Sequence, residues 1–380
     1  MTGARFAIRP LGQIAQIERG KFSARPRNDP HYFGGSMPFV QTGDVRSSDG
    51  FIWRFSSSLN DHGVAVSKVF SKGTLLMTIA ANIGDVGITS FECAAPDSLV
   101  ALYPQDGIHK RWLYYVLLAN KANLEAVATT NAQANINLEK LNRFEITVPT
   151  YAEQRAISAM LVDTDELIAS VERLIVKKRA IKQGMMQELL TGRTRLPGFT
   201  GEWHPTRFAE LLSYQQPAKF LVSSTEYVSA GTPVLTAGKT FLLGHTTDTT
   251  GIFDSLPAII FDDFTTASKY VAFPFKAKSS AMKILSAKSG IDIRFVSERM
   301  QLVNFIALDH KRRWIAEYSK IEVDVPSIDE QRAIATVAEH ADKEITALER
   351  RLEATRAIKQ GMMQELLTGR TRLPVKEDAT

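Results

Sequence analysis

The sequence has a single cysteine, Cys93, so neither an intramolecular disulfide nor a thiolate metal cluster can form. A lone cysteine of this kind reads as a small buried residue. Nowhere do about 18 apolar residues run together, and Met1-Thr2-Gly3-Ala4-Arg5 does not open a secretory signal. A cytoplasmic protein is the expectation.

Catalytic signatures are missing as well. The seven histidines are scattered, and none forms His-x-x-x-His. Gly231 and Gly238-Lys239-Thr240 suggest a phosphate loop, but six residues separate the glycines where that loop requires four. There is no dinucleotide-binding glycine pattern, and no Asn-Pro-Pro-Tyr of the kind amino-methyltransferases carry. Pro96-Asp97 lacks a following acidic-x-Lys. Asp262-Asp263 is a carboxylate pair for which Lys269 is a ready structural partner. The expectation is a chain without a catalytic site, metal or cofactor of its own.

What is present is ordinary globular composition, 44% hydrophobic and 23% charged, over 380 residues, enough for two or three domains. A net charge of +5 leans weakly toward a polyanionic partner, because neutralised phosphates release counterions.

The dominant feature is a repeat. RAIKQGMMQELLTGRTRLP begins at Arg179 and returns unchanged at Arg356, an offset of 177. The same offset relates Val148-Pro149-Thr150 to Val325-Pro326-Ser327, and Glu153-Gln154-Arg155 to Glu330-Gln331-Arg332. Upstream of these blocks the halves diverge. Thr150 with Glu153, and Ser327 with Glu330, have the spacing of a capping box. Pro149 and Pro326 end a preceding strand, and Gly192 and Gly369 fall where a C-terminal cap belongs. Between the caps, apolar residues recur in heptads: Ile157, Leu161, Val171 and Ile175 in one copy, Ile334, Ala338, Ile345 and Leu352 in the other. Lys178/Lys182 and Thr355/Lys359 interrupt each seam, and the identical segment begins there. Identity over all faces points to a second contact surface at Gly184, Met185, Met186 and Leu189, and at Gly361, Met362, Met363 and Leu366. Methionines suit such an adaptable surface, and each helix-interior glycine marks a close approach, a kink or a tolerated cost of about 1 kcal/mol.

The diverging modules read as mixed α and β. Strand-like runs lie at 37–40, 73–79, 86–89 and 98–103, followed by a helical patch at 111–120. The second module has runs at 232–235, 258–261, 270–275 and 282–285. A faint correspondence links Pro38-Phe39-Val40-Gln41-Thr42-Gly43 to Pro233-Val234-Leu235-Thr236-Ala237-Gly238. Residues 129–137 are rich in side-chain amides, which can pair with adenine. Residues 269–290 carry five lysines with interleaved Tyr270, Phe273 and Phe275, a composition that holds phosphates.

Taken in order, Pro38-Phe39-Val40-Gln41-Thr42-Gly43-Asp44-Val45, Gly73-Thr74-Leu75-Leu76-Met77-Thr78-Ile79-Ala80, Val148-Pro149 leading to Glu153-Gln154-Arg155 with its twin from Val325, and Leu196-Pro197-Gly198-Phe199 before Glu202-Trp203 resemble the specificity (S) subunit of type I restriction–modification systems. Phe261-Asp262-Asp263-Phe264-Thr265-Thr266 and Lys278-Ser279-Ser280-Ala281-Met282-Lys283 look like one second-module subtype of that family. The resemblance implies an α+β chain: two mixed α/β target-recognition domains (1–149 and 193–326), two long antiparallel coiled-coil helices (150–192 and 327–370), a tail (371–380), and a pseudo-two-fold internal repeat.

The resemblance further implies a non-catalytic reader of bipartite double-stranded DNA. Two methyltransferase (M) subunits would bind, with restriction (R) subunits joining them, and S-adenosylmethionine, ATP and Mg would belong to those partners. DNA contacts are then expected from Gln41, Thr42, Asp44, Arg46, Asn82, Gln133, Asn135 and Asn137. In the second module they are expected from Thr236, Lys239, Asp263, Thr265, Thr266, Lys269, Lys276, Lys278, Ser279, Ser280 and Lys283. A coiled-coil scaffold whose modules bind protein is the rival reading.

Overall fold

The computed structural model of the chain describes residues 6–128, 135–238, 240–305 and 313–374. It forms two compact units, one of residues 1–171 with 351–380 and the other of residues 172–350. The repeated blocks form helices Tyr151–Leu190 and Ile328–Leu366, so each unit takes the start of one long helix and the end of the other.

The start signals work as the spacing predicts. The Thr150 amide donates to Glu153 Oε2 at 3.0 Å, and the Glu153 amide donates back to Thr150 Oγ1 at 3.4 Å. The Glu330 amide likewise donates to Ser327 Oγ at 3.5 Å. At the far ends, Gly192 and Gly369 take φ of 70° and 74°, the left-handed conformation that closes a helix. The glutamine of each Glu-Gln-Arg motif has its own task. Buried Gln154 accepts from the His109 amide at 2.8 Å, and buried Gln331 accepts from the Asp292 amide at 2.9 Å. Those amides belong to the caps of helices Lys110–Ala119 and Ile293–Gln301, so each glutamine fixes its own module's helix to the long one.

In the first unit, strand Ala7–Pro10 pairs antiparallel with Glu145–Val148 and closes the module. A five-stranded sheet runs in the order Ala15–Arg19, Leu99–Pro104, Leu75–Thr78, Val86–Thr89, Phe51–Ile52. A four-stranded sheet runs in the order Ser57–Leu59, Phe33–Phe39, Cys93–Ala95, Lys68–Phe70. The apolar strands Leu75–Thr78 and Val86–Thr89 are buried throughout, as fully covered strands should be. Cys93 is buried; burial, then the neighbouring Glu92 carboxylate, pushes its thiol up to about 12.

The second unit repeats this plan with fewer strands. His204–Arg207 pairs with Glu322–Val325. One sheet runs Leu212–Gln215, Met282–Ala287, Ala258–Asp262, Ser268–Val271, and the other Leu242–Thr246, Thr232–Leu235, Lys276–Ala277. Strand Phe33–Phe39 in one unit and Thr232–Leu235 in the other each have one antiparallel and one parallel neighbour, so the faint Pro38/Pro233 correspondence is a topological one. One expected strand differs. The run at 270–275 ends at Val271, because Pro274 has no amide to give a ladder; Phe275 instead bridges Phe253.

Candidate nucleic-acid interface

In the first unit the polar residues gather around helix Thr42–Arg46. The Gln41 amide donates to Asp44 Oδ2 at 2.8 Å, and Ser56 Oγ donates to the same oxygen at 3.1 Å. The Gln41 side chain donates to Ser57 Oγ at 3.0 Å. Arg46 Nη1 donates to Asn82 Oδ1 at 3.0 Å, joining two residues far apart in sequence. Asn82 lies in a turn whose Ala81 has φ of 64°, and Asn135 bridges to Ala80 beside it. Gln41, Thr42, Asp44, Arg46, Asn82 and Asn135 therefore share one edge of the module. Asn137 instead caps helix Leu138–Asn142, accepting from the Lys140 amide at 2.8 Å. Gln133 lies outside the described residues.

The second unit builds an edge at the corresponding place. The Lys278 amide donates to Leu235 O at 3.0 Å, which sets Lys278, Ser279 and Ser280 beside Thr236. The Asp263 amide donates to Ala281 O at 3.1 Å, drawing in the turn that carries Thr265 and Thr266. Thr266 has φ of 60°, and it and Ala81 are the two non-glycine residues with positive φ among those described. They stand in equivalent hairpins next to equivalent polar clusters. Left-handed backbone at a side-chain-bearing residue is uncommon and concentrates at working edges. Lys269 is exposed on the neighbouring strand. Lys239 lies outside the described residues.

Three residues expected at this edge are occupied inside the fold. Lys283 is 1% exposed, and its ammonium lies 3.0 Å from Asp263 Oδ2 and 3.2 Å from Gln216 Oε1. Asp263 also accepts the Arg313 and Trp314 amides at 3.0 and 2.9 Å. Of the carboxylate pair noted in the sequence, Asp263 thus turns to Lys283 and not to Lys269, while Asp262 accepts the Phe264 and Thr265 amides, each at 2.9 Å. Lys276 is buried on Asp248 at 2.6 Å. That ammonium, followed by the Thr250 amide and hydroxyl, holds the Asp248 carboxyl at about 2. These charges are balanced internally, and strand pairing forces the side chains inward. Of the interleaved aromatics, Phe275 is core, Tyr270 packs under Arg294, and Phe273 is exposed.

The helix ends require a similar correction. Met186 and Leu189 are buried in the second unit's core, and Leu366 in the first unit's; Met185, Met362 and Met363 pack against those cores. An apolar side chain at these positions faces inward because the capped helix ends close over each module's ribbon. What both copies leave outside is a small apolar stripe. Ile181 is 50% and Ile358 59% exposed. The space beside Gly184 and Gly361 is open, so neither glycine serves a close approach within its unit.

Reading the sequence missed an aromatic feature of the first edge. Trp53 is 70% exposed, and Phe55, beside exposed Arg54, is 43% exposed. Three rings and an arginine within Phe51-Ile52-Trp53-Arg54-Phe55 were the available signal.

Comparison with known proteins gives these edges a context. Residues 5–177 match the family described as type I restriction modification DNA specificity domain. The chain is 43% identical over 151 residues to the Escherichia coli type I restriction enzyme EcoR124I/EcoR124II specificity subunit, covering 38% of this chain and 37% of that one. It is 25% identical over 171 residues to the MjaIX specificity subunit of Methanocaldococcus jannaschii, covering 44% and 39%. The matches thus span less than two thirds of the length of these relatives. The solved type I S subunit from M. genitalium has the same fold, with a TM-score of 0.64, 16% identity and 97% of both chains covered. The HsdS subunit from Thermoanaerobacter tengcongensis has a TM-score of 0.52 at 14% identity, covering 96% and 97%. No helix among the described residues is long and apolar enough to cross a membrane.

Proposed function

We propose that this chain, whose residues 5–177 match the type I restriction modification DNA specificity domain, reads a bipartite duplex with one module per half-site. The observation that supports it most is a contrast. Two modules of one topology carry different side chains on equivalent edges, while two helix ends are identical letter for letter. Different edges suit different half-sites, and phosphate-binding lysines and hydroxyls beside them position the reader. Identical ends suit two copies of one partner.

That partner is the methyltransferase subunit, bound at two copies per chain, with restriction subunits joining the assembly. Its contacts are the stripes at Ile181 and Gly184 and at Ile358 and Gly361, supported by half-buried Met185, Met362 and Met363 and, from beneath, by buried Met186, Leu189 and Leu366. Adenine methylation and DNA cleavage, with S-adenosylmethionine, ATP and Mg, belong to those partners. This chain supplies sequence choice alone. A protein-binding scaffold does not account for the match to a DNA specificity domain.

Mapping methylated adenines across the genome of a host expressing the complete complex tests the reading. The expected result is two short half-sites at one constant spacing. Exchanging the second module for a divergent one should change one half-site and leave the other. A continuous site, or a change at both half-sites, would sink the proposal.

A further inference from the structure

The first module's edge carries two exposed rings, Trp53 and Phe55, that neither the core nor the hydrogen-bonding cluster uses. Trp53 follows strand Phe51–Ile52, and its connection ends at strand Ser57–Leu59. The Phe51 ring lies 5.6 Å from the Trp53 ring, and the Arg111 guanidinium stacks 4.1 Å from the Phe51 ring. Phe51 itself packs against the main core of the unit. Trp53 is thus backed by a rooted ladder while most of its indole faces solvent. Phe55 is steadied by Phe91 at 5.4 Å. The end of the connection is tied down as well, since Ser56 and Ser57 bond to Asp44 and Gln41.

The surroundings define the occupant. Gln41 and Asp44 hold the end of the connection, and Arg46, bonded to Asn82, follows on the same short helix as Asp44, so the neighbouring groups are hydrogen-bonding ones. Arg54 and Arg46 add positive charge; Glu92 opposes it, and Asp44 is already committed to two donors. A protein partner would need a continuous apolar patch around an anchoring tryptophan. A nucleic acid offers a flat base face with phosphates on either side, which matches a lone indole set among arginines and amides. The second module has a ring at the corresponding connection: Phe241 precedes strand Leu242–Thr246 and meets exposed Phe273 edge-on at 6.4 Å.

We infer that residues 53–56 form a base-stacking element, in which the Trp53 indole packs on a base face opened at one unstacked step of the half-site read by the first module. Apolar side chains inserted at such steps partly unstack the bases and kink the duplex. This rests on the DNA-reading function proposed above.

The test uses the complete complex and duplexes carrying the mapped bipartite site, with 2-aminopurine placed singly through the first half-site. Fluorescence should change with the wild type at one position other than the adenine that the methyltransferase takes out of the stack. Trp53→Ala should abolish that change and weaken specific binding by roughly 5- to 150-fold, the range of base–aromatic stacking. Trp53→Phe should keep most of both. The salt dependence of binding should not move, because an indole displaces no counterion. An unchanged melting temperature in both variants would show the loss is not one of folding. Wild-type affinity and an unaltered 2-aminopurine signal in Trp53→Ala would overturn the stacking element while leaving the half-site reading intact. A wild-type complex that selects no duplex at all would overturn both.

Discussion

Lys182 donates to Asp342 at 2.8 Å in the second unit, and Lys359 lies 2.5 Å from Asp165 in the first. The two pairs are one pair with the copies exchanged, since Lys359 repeats Lys182 and Asp342 repeats Asp165 at the 177 offset. In each unit the two helix stretches run antiparallel, so the end of one copy always meets the start of the other. The lysines that interrupt the heptad seam in the sequence are therefore its polar registers. A polar contact at a seam fixes register at some cost in stability.

Replacing Lys182 with Met should consequently destabilise the second unit by about 1–2 kcal/mol, because Asp342 and Glu298 lose a shared, half-buried partner. Lys359→Met should do the same to the first unit. Hydrogen exchange on each variant would show protection lost in one unit only. Equal loss in both units from either change would contradict the paired arrangement.

The Glu-Gln-Arg motif yields a prediction with a pH signature. Glu153 is buried, and Arg372 donates to it at 2.5 and 2.7 Å. Burial alone would raise its carboxyl, but the bonds from Arg372 and Thr150 outweigh this and hold it below the usual range. A depressed folded value means stabilisation that is complete above the unfolded carboxylate range and fades as pH falls through the folded value. Glu153→Gln should therefore be less stable than wild type at pH 7, with the gap closing below about pH 4. Its twin Glu330 is held by Arg195 at 2.6 Å through two nitrogens. Arg195→Ala takes the cation from that buried carboxylate, leaving the Trp203 indole N–H still donating to it, and should destabilise the second unit, read as a lower urea midpoint.

Burial separates the two candidate faces of the identical helix ends. Ile181→Glu with Ile358→Glu should leave both units folded but strip methyltransferase subunits from the purified complex. Met186→Glu should instead unfold the second unit, since it places a charge in the core. Size-exclusion chromatography with mass determination reads the first outcome, and circular dichroism the second. A double isoleucine variant that still carried two methyltransferase copies would place docking elsewhere.

Which of these features could be read from letters depended on the range of the interaction. Helix starts and stops were visible because a capping box and a C-terminal glycine act within four residues, and Thr150, Glu153 and Gly192 behave as their spacing implies. The heptads gave the buried face of Ile157, Leu161, Ile334 and Ala338 for the same reason. The site was less visible. A lysine's letter does not say whether strand pairing will turn it inward, and Lys276 and Lys283 sit on strands whose inward neighbours offer Asp248 and Asp263. The methionines misled because a repeated apolar segment looks the same whether it faces a partner or its own module. Trp53 escaped notice because its exposure is set by its place just after the edge strand of the five-stranded sheet, which composition does not reveal.

The buried Lys283–Asp263 pair gives the sharpest separation of structure from recognition in the second module. Both side chains are nearly inaccessible, and Asp263 keeps two backbone donors if the lysine is lost. Lys283→Met preserves length and apolar volume but leaves the carboxylate without its cation, a change that typically costs 3–5 kcal/mol; the remaining amide donors bring the expectation to about 2–3 kcal/mol. Stability should fall by that amount while the salt dependence of DNA binding by the assembled complex stays the same, because no phosphate contact is removed. Exposed Lys269→Met should behave in the opposite way, leaving melting unchanged and reducing the slope of log affinity against log salt by about one. If Lys283→Met reduced that slope at unchanged melting temperature, the lysine would have to swing out to the DNA on binding, and its place in the core would be only its resting position.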